Sequence, residues 1–544
     1  MGRRTVLAYI LSVAVLVGYY FYFTPKSTPP PAPPAGTGPA ASGPSETLPE
    51  TKPTAVSPTA ATPPVSQELL PPPKITAIET PLYRAETLNL GAVLKSLQLK
   101  EYRETPQRSS PPIDLFVGTQ ENLKLQVKDA NFTLPPVIPY EVKESGTNSV
   151  EYSWEGPELK ISKRIEWDPD NYVARVKVSW ENRSEKVLAV SPGLRIETRQ
   201  HPEQRRGFAF FRSPSPVKTP ILYGEKGVVR HSDIRKLPPL SEEKGSFQWV
   251  GIEDRYFLWS IIAEALSTEN RAVYGTQGDL VFSEFYYPKE VVAPSSKLEK
   301  EFRIYAGPKE VDRLKALQVR LEAAVNYGWF SFVAHPILFL LKFFHRWVGN
   351  WGLAIILLTV FIKLLLHPIN KKSLESMKAM QKVQPKLVEI REKYKDDRER
   401  MNVEMMNLFR THKINPAGGC LPMLLQMPIY IALYQVLYNA IELYHAPFFW
   451  FYKDLSAPDP YFILPILLGV FMVVQQKMTP STQDPAQANM MLIMPVVFSA
   501  FMLFLPVGLV LYIFVNTIMT VVQQYMHQHE MSLADLLRRG KKAS

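Results

Sequence analysis

Cysteine is almost missing: Cys420 is the single one in 544 residues, which excludes an intramolecular disulfide and a cysteine-rich metal site. Metal-ligand spacings, a nucleophile elbow, a phosphate loop and a dinucleotide fingerprint are also lacking. No residue is therefore assigned to catalysis, to a cofactor or to a metal. His231, His345 and His445 stand far apart in sequence and read as isolated surface or interfacial residues. Aspartate and glutamate are absent from the interiors of the five long apolar stretches in the C-terminal part of the chain. That argues against an acidic proton relay or a cation site within them. Between Met1 and Met377 there is no methionine.

What is present is unevenly distributed. A near-neutral mean hydropathy conceals stretches long enough to cross a bilayer, separated by segments of ordinary soluble composition. The net charge of +11 could suggest nucleic acid. Much of the basic excess, however, borders the apolar stretches, where it sets orientation. Arg3 and Arg4 precede an apolar run from Thr5 to Phe23 that ends in Tyr19, Tyr20, Phe21, Tyr22 and Phe23. A cleavable signal peptide is the alternative, but the length of the run and its aromatic end favour an uncleaved anchor with a cytoplasmic amino terminus. From Pro25 to Lys74, proline, threonine, alanine and serine dominate. Such a composition buries too little apolar surface to order itself and predicts an extended tether.

Between Ile75 and Ala306, short segments of alternating polarity predict a β-rich domain. In Tyr172 to Trp180, residues Ala174, Val176, Val178 and Trp180 share one face, and Arg175, Lys177 and Ser179 the other. Leu123 to Val127, Glu151 to Trp154 and Leu298 to Tyr305 are further candidate strands. A large β-sandwich outside the cytoplasm is expected, because one span precedes it. Val311, Leu314, Leu317, Leu321 and Val325 then predict a helix over 309–325. Trp329 to Val348 is apolar but broken by His335, Pro336, Lys342, His345 and Arg346, so an interfacial helix is favoured over a span.

Candidate spans follow at Trp351 to His367, Ala417 to Asn439, Tyr461 to Gln476, Asn489 to Leu505 and Val507 to Tyr525. The anchor makes six. The basic loop between the second and third spans and the basic tail both belong in the cytoplasm by the positive-inside rule. In the loop, Met380, Val383, Leu387, Ile390 and Tyr394 alternate spacings of three and four, Met401, Met405 and Leu408 continue the pattern, and Lys395, Asp396 and Asp397 mark a turn. This predicts an antiparallel helical hairpin. A solvated connector is the plainer alternative. Anionic phospholipids would attract the loop electrostatically, and no direct nucleic-acid specificity is expected.

Lys363 lies about 7 Å from the cytoplasmic end of its span, at 1.5 Å per residue. A lysine at mid-bilayer costs about 2.5 to 3.5 kcal/mol, which snorkelling or a hydrated neighbourhood can relieve. Its neighbours bear on the choice. Thr359, Lys363 and His367 form a polar stripe at spacing four; so do Gln426, Tyr430 and Tyr434, and again Tyr512, Asn516 and Thr520. One stripe glues helices together, but three in one bundle favour a shared hydrated groove. Methionines such as Met423, Met427, Met472 and Met494 suit a surface that accepts varied apolar partners, although they also simply fill cores.

The run Gly349-Asn350-Trp351-Gly352 leading through Thr359 and Lys363 to Pro368 resembles the second span of the YidC membrane protein insertase family. Gln384-Pro385-Lys386, Asn415 to Pro422, Gln426-Met427-Pro428-Ile429, Asp454-Leu455-Ser456, Asp459-Pro460-Tyr461 and Pro506 to Tyr512 are similar as well. The likeness runs from about Ile75 onward, in the form that carries a large periplasmic domain. It implies a six-span α-helical inner-membrane protein with both termini cytoplasmic, a periplasmic β-sandwich and a cytoplasmic helical hairpin. The expected units are the anchor 1–24, tether 25–74, β-sandwich 75–308, connecting helices 309–349, membrane domain 350–530 with hairpin 370–414, and tail 531–544.

The resemblance further implies an insertase without covalent catalysis, whose groove opens to cytoplasm and lipid. Nascent membrane proteins, the ribosome and the Sec translocon are its implied partners, with the signal recognition particle and its receptor as further candidates. Groove residues would be Lys363, Thr359, Gln426, Tyr430, Tyr512 and Asn516, and hairpin residues Gln384, Pro385, Lys386, Asp396 and Asp397. Members usually carry arginine where this chain has Lys363, so the charge is kept and the planar guanidinium lost. A solute transporter is the rival class, favoured by a polar-lined bundle. The missing intramembrane acids and the absence of obvious repeated spans weigh against it.

Overall fold

The computed structural model describes residues 71–116, 118–119, 121–200, 217–231, 237–412, 414, 421–478 and 485–529. The anchor, nearly all of the tether, the basic tail and the motif from Asn415 to Cys420 lie outside the described residues.

Alternation of apolar and charged residues builds the first half into three antiparallel sheets. The largest runs through Gly227–Arg230, Thr219–Gly224, Trp249–Glu253, Phe257–Ala263, Lys297–Pro308, Val173–Asn182, Leu159–Trp167, Ser149–Glu155 and Glu141–Ser145. A second places Ser241–Lys244, Arg271–Gln277, Leu280–Tyr286 and Leu188–Arg199 in order, with Glu290–Val292 and Lys124–Lys128 both against Leu188–Arg199. The third joins Ile75–Glu79, Tyr83–Leu88, Val93–Arg103 and Pro112–Asp114.

All four expected strands form. Ala174, Val176, Val178 and Trp180 are buried as read, and Phe302 and Ile304 of the neighbouring strand stand opposite Val176 and Ala174 in register. One continuous core draws on all three sheets. Tyr152 Oη donates to Thr87 Oγ1 (2.7 Å) between the largest and third sheets, and Ser283 Oγ to the Gly251 carbonyl (2.9 Å) between the largest and second. The large sheet therefore faces two smaller ones, an enlarged sandwich.

The helix expected over 309–325 is shorter. Helix α1 covers Val311–Ala316, and a 3-10 turn follows at Leu321–Ala324. Gln318 and Arg320 between them both have φ 57°. The left-handed corners interrupt the helix yet return Leu321 and Ala324 to the β-core beside Leu314. Burial of these side chains outweighs helical continuity.

Among the described residues, seven further α-helices follow: α2 Ser331–Val348, α3 Trp351–Lys393, α4 Arg398–Thr411, α5 Leu421–Asn439, α6 Ile463–Met478, α7 Pro485–Met502 and α8 Val507–Gln528. By length and composition Gly328–Val348, Trp351–Lys393 and Val507–Gln528 could cross a membrane. The span expected to end at His367 is part of a longer helix: α3 continues through Pro368 and Pro385 to Lys393. The turn at Tyr394 to Asp397 then reverses the chain, and the Asp397 carboxylate caps α4 by accepting from Arg400 N (3.0 Å).

The helical region keeps an apolar core but also encloses a few polar residues and turns many apolar ones outward. On α3, Phe361, Leu364 and Leu365 are exposed while Thr359 and Lys363 are buried. On α7, Ile493, Val496, Val497 and Phe501 point outward. Helices that show apolar faces outward and enclose polar residues suit an apolar solvent.

Candidate functional site

The three polar stripes converge. Lys363 on α3 is 6% exposed, and its Nζ donates to Thr520 Oγ1 on α8 (2.8 Å). Thr520 in turn donates to the Asn516 carbonyl (2.7 Å), an i to i−4 bond that turns its oxygen lone pairs toward the lysine. From α5, Gln426 Nε2 donates to Tyr512 Oη (3.2 Å), and Tyr430 Oη accepts from Asn516 Nδ2 (2.5 Å). The Tyr430 and Tyr512 rings meet edge to face at 5.7 Å. At the far end, His367 and Gln523 approach to 3.4 Å. Helix α8 is the spine of the site, since the contacts from Lys363, Gln426, Tyr430 and His367 all end on it.

Physical cause can be given for each placement. Residues four apart share a helical face, and polar side chains in an apolar bundle gain by satisfying one another. Thr359 is buried at 1% exposure but turns its hydroxyl to its own helix, donating to the Ile355 carbonyl (2.6 Å). Tyr434 stacks on Tyr438 (5.5 Å). Thr517 and Gln524 on α8 are also buried polar residues. Gln524 continues the spacing of four beyond Thr520, a signal that the stripe as read from the sequence stopped short of. Among the described residues, no carboxylate ion-pairs with Lys363 and no cluster of histidine, cysteine, aspartate or glutamate has the form of a metal site.

Beyond the turn, Gln384, Pro385 and Lys386 lie on the distal part of α3, and Asp396 and Asp397 in the turn. Val383 and Leu387 are buried, whereas Pro385, Lys386 and Asp396 are exposed. Lys386 Nζ lies 3.4 Å from His412 Nε2, just past α4.

The histidines read as isolated are not. His445 Nδ1 lies 2.7 Å from Asp454 Oδ2, His345 stacks on Trp351 at 3.7 Å, and His231 packs on Tyr274 at 4.6 Å. Burial opposes the charge on Asp454, but hydrogen bonds from His445 and Ser456 outweigh it and hold its carboxyl below the usual range. Sequence distance concealed these partners; the spacing of nine between His445 and Asp454 belongs to a loop and has no periodicity to reveal it. Of the methionines, Met427 and Met494 are exposed and Met502 is buried.

A bundle that buries a few polar residues within an apolar interior and turns apolar side chains outward, joined to a large β-rich domain, has the character of an integral membrane protein. Residues 75–340 match the model of the YidC periplasmic domain, and 343–534 that of the 60Kd inner membrane protein. The membrane protein insertase YidC of Geobacter sulfurreducens is 37% identical over 98% of this chain and 100% of its own. That of Syntrophobacter fumaroxidans is 38% identical over 96% of this chain and 99% of its own. A crystal structure of an active YidC insertase with its first transmembrane domain resolved aligns with 84% of this chain and 95% of that one, at 19% identity and a TM-score of 0.37. The chain belongs to the YidC family of membrane protein insertases. Its β-rich domain is the family's periplasmic domain, the chain is a bacterial inner-membrane protein, and the family's members are insertases, not enzymes.

Proposed function

We propose that the convergence of α3, α5 and α8 is a hydrophilic groove, open to the cytoplasm, that receives nascent transmembrane segments and releases them sideways into lipid. The observation that carries this reading is Lys363, a buried cation held by a hydroxyl rather than a carboxylate. Its charge is left available to an incoming chain. Attraction of a client carboxylate at 4 Å amounts to about 4 kcal/mol at an effective dielectric near 20. Polar flanks of the client exchange bonds with Gln426, Tyr430, Tyr512 and Asn516, each internal bond being worth only about 1 kcal/mol net. Transfer of apolar client residues into lipid then drives release.

In this reading the chain has six spans, with α2 lying along the periplasmic face. Support comes from Lys342, two-thirds of the way along α2, which pairs with Asp312 (2.8 Å) and Glu442 (2.7 Å). Both partners belong to segments next to the periplasmic domain, so they hold the middle of α2 at that surface. The distal part of α3 with α4 forms the cytoplasmic hairpin, which meets clients delivered by the ribosome, alone or beside the Sec translocon. Signal recognition particle, its receptor and anionic phospholipids are the further partners of this basic element. Reconstitution into vesicles is the test. Purified protein should speed insertion of a small single-span client without moving solutes; absence of any acceleration would refute the reading.

A further inference from the structure

The three helices of the polar convergence share a second feature at their periplasmic ends: one loop, Ala440 to Phe462, fastens all of them. Helix α3 is capped by Asn350, whose Oδ1 accepts from Leu353 N (3.1 Å) while its Nδ2 donates to the Phe448 carbonyl of the loop (2.8 Å). Gly352 in the first turn lies so close to the Phe448 ring that an added Cβ would sit 1.9 Å from it. Helix α8 begins where Gly508 N donates to the Leu455 carbonyl (2.9 Å) and Val507 N to the Ala457 carbonyl (2.8 Å). Helix α5 runs directly into the loop, which is closed on itself by Leu455 N to the Ala446 carbonyl and by the His445–Asp454 pair.

The loop is in turn seated on the β-domain. Arg255 Nε donates to the Tyr438 carbonyl (2.6 Å), a group in the last turn of α5 that has no helical partner of its own. A guanidinium there also meets the negative end of the helix dipole. The same guanidinium lies 3.6 Å over the Tyr438 ring and 4.7 Å over the Tyr256 ring, one aromatic from each side of the joint. Six residues after Tyr438, Tyr444 Oη donates to the Arg103 carbonyl (3.0 Å), and its ring packs on Tyr256 (4.9 Å) and Phe257 (5.9 Å).

We infer that Arg255 and Tyr444 are positioning residues through which the periplasmic domain fixes the closed, periplasmic end of the groove. The inference rests on the groove reading above. Arg255 sets the position of α5, and through the loop the same anchorage reaches the starts of α3 and α8. Movement at the cytoplasmic end can then open the groove without parting the helices at the other end. The β-domain thereby acts on insertion without touching the client.

Pulsed electron–electron distance measurements on full-length protein in vesicles test this, in a Cys420→Ser background. One label pair, Thr268→Cys with Phe449→Cys, spans the joint; a second, Leu425→Cys with Val522→Cys, spans α5 and α8. Both distributions should be narrow in the parent. In Arg255→Ala combined with Tyr444→Ala both should broaden, and insertion of a client with an acidic flank should slow several-fold. Reinstating Tyr444 together with Arg255→Lys should bring both distances and the rate back toward the parent, because the cation and an N–H donor return although the guanidinium stacking does not; a general folding defect would not be rescued this way. The inference is overturned if the joint distance stays narrow in the double variant, or if it broadens while the α5–α8 distance and the rate do not change. Lys363→Ala measured in parallel keeps the two readings apart: unaltered insertion there refutes the groove, while the distances still decide the joint.

Discussion

Lys363 and Thr520, 157 residues apart in sequence, are joined by a 2.8 Å hydrogen bond between helices α3 and α8. The lysine is therefore not extended toward the cytoplasmic surface: at 6% exposure it points into the bundle. Lys363→Arg should keep insertion of acidic-flanked clients near the parent rate, since charge and reach are similar. Lys363→Ala should slow those clients most, and Lys363→Glu more still, because attraction becomes repulsion. Thr520→Val removes the hydroxyl but keeps the shape, and should give a smaller loss than Lys363→Ala. Initial insertion rates for clients with acidic and neutral flanks check the order; equal rates across the series would reduce Lys363 to a structural cation.

Close approach of Gly352 to Phe448 gives a separate handle on the end of the bundle proposed to close the groove. Gly352→Ala places a methyl group where the ring now stands, an overpacking that costs about 1 to 3 kcal/mol. Phe448→Ala should relieve it. The double variant is expected to be less impaired than the sum of the single variants, a coupling measurable as thermal stability in detergent. Strict additivity would mean that the two residues do not meet.

How much of this was legible beforehand depended on whether the signal was periodic. The strand from Val173 to Asn182 and the three stripes were readable because alternation in strands and spacing of four in helices assign faces directly. Meeting of the stripes on α8 followed from few possible ways of hiding polar faces from lipid. Loops carry no such period: the His445–Asp454 pair, the Arg255–Tyr438 contact and the left-handed residues Gln318 and Arg320 are products of tertiary packing. Apolarity ends at His367, where the expected span stops, while the helix itself continues to Lys393, since helix formation needs no apolarity.

That continuity matters for the hairpin. One unbroken helix connects Lys363 to the turn, so on the proposed reading a client held at the hairpin would already be aligned with the groove. Deleting Ser373 to His412 should abolish insertion while the remaining helices stay assembled, as judged by protease resistance of the membrane fragment. Retained insertion would make the segment a mere connector.

Within the β-domain, Lys163 supplies a prediction of opposite character. It occupies a core position on the large sheet at 0% exposure, and its Nζ donates to the carbonyls of Ala92 (2.7 Å) and Leu123. Both acceptors are non-glycine residues in the left-handed region, at φ 48° and 59°. Burial pushes the ammonium down to about 7. In the unfolded chain the same group titrates near 10.4. Between these values the unfolded state binds the extra proton, so stability should rise with pH across that window, by at most about 1.4 kcal/mol per unit. Below about pH 7 both states are protonated and the full penalty of the buried charge is present. Lys163→Met removes the charge and also the two hydrogen bonds, whose orphaned carbonyls cost about 1 to 3 kcal/mol each. The variant should therefore be less stable than the parent at pH 10, where only the bonds differ, and the gap should narrow toward pH 7. Denaturant midpoints of the full-length protein, followed by fluorescence of the buried Trp180, Trp249 and Trp259, would show this. A gap that is constant from pH 7 to 10 would mean that Lys163 keeps its proton throughout, and that the two carbonyls hold an ammonium rather than an amine.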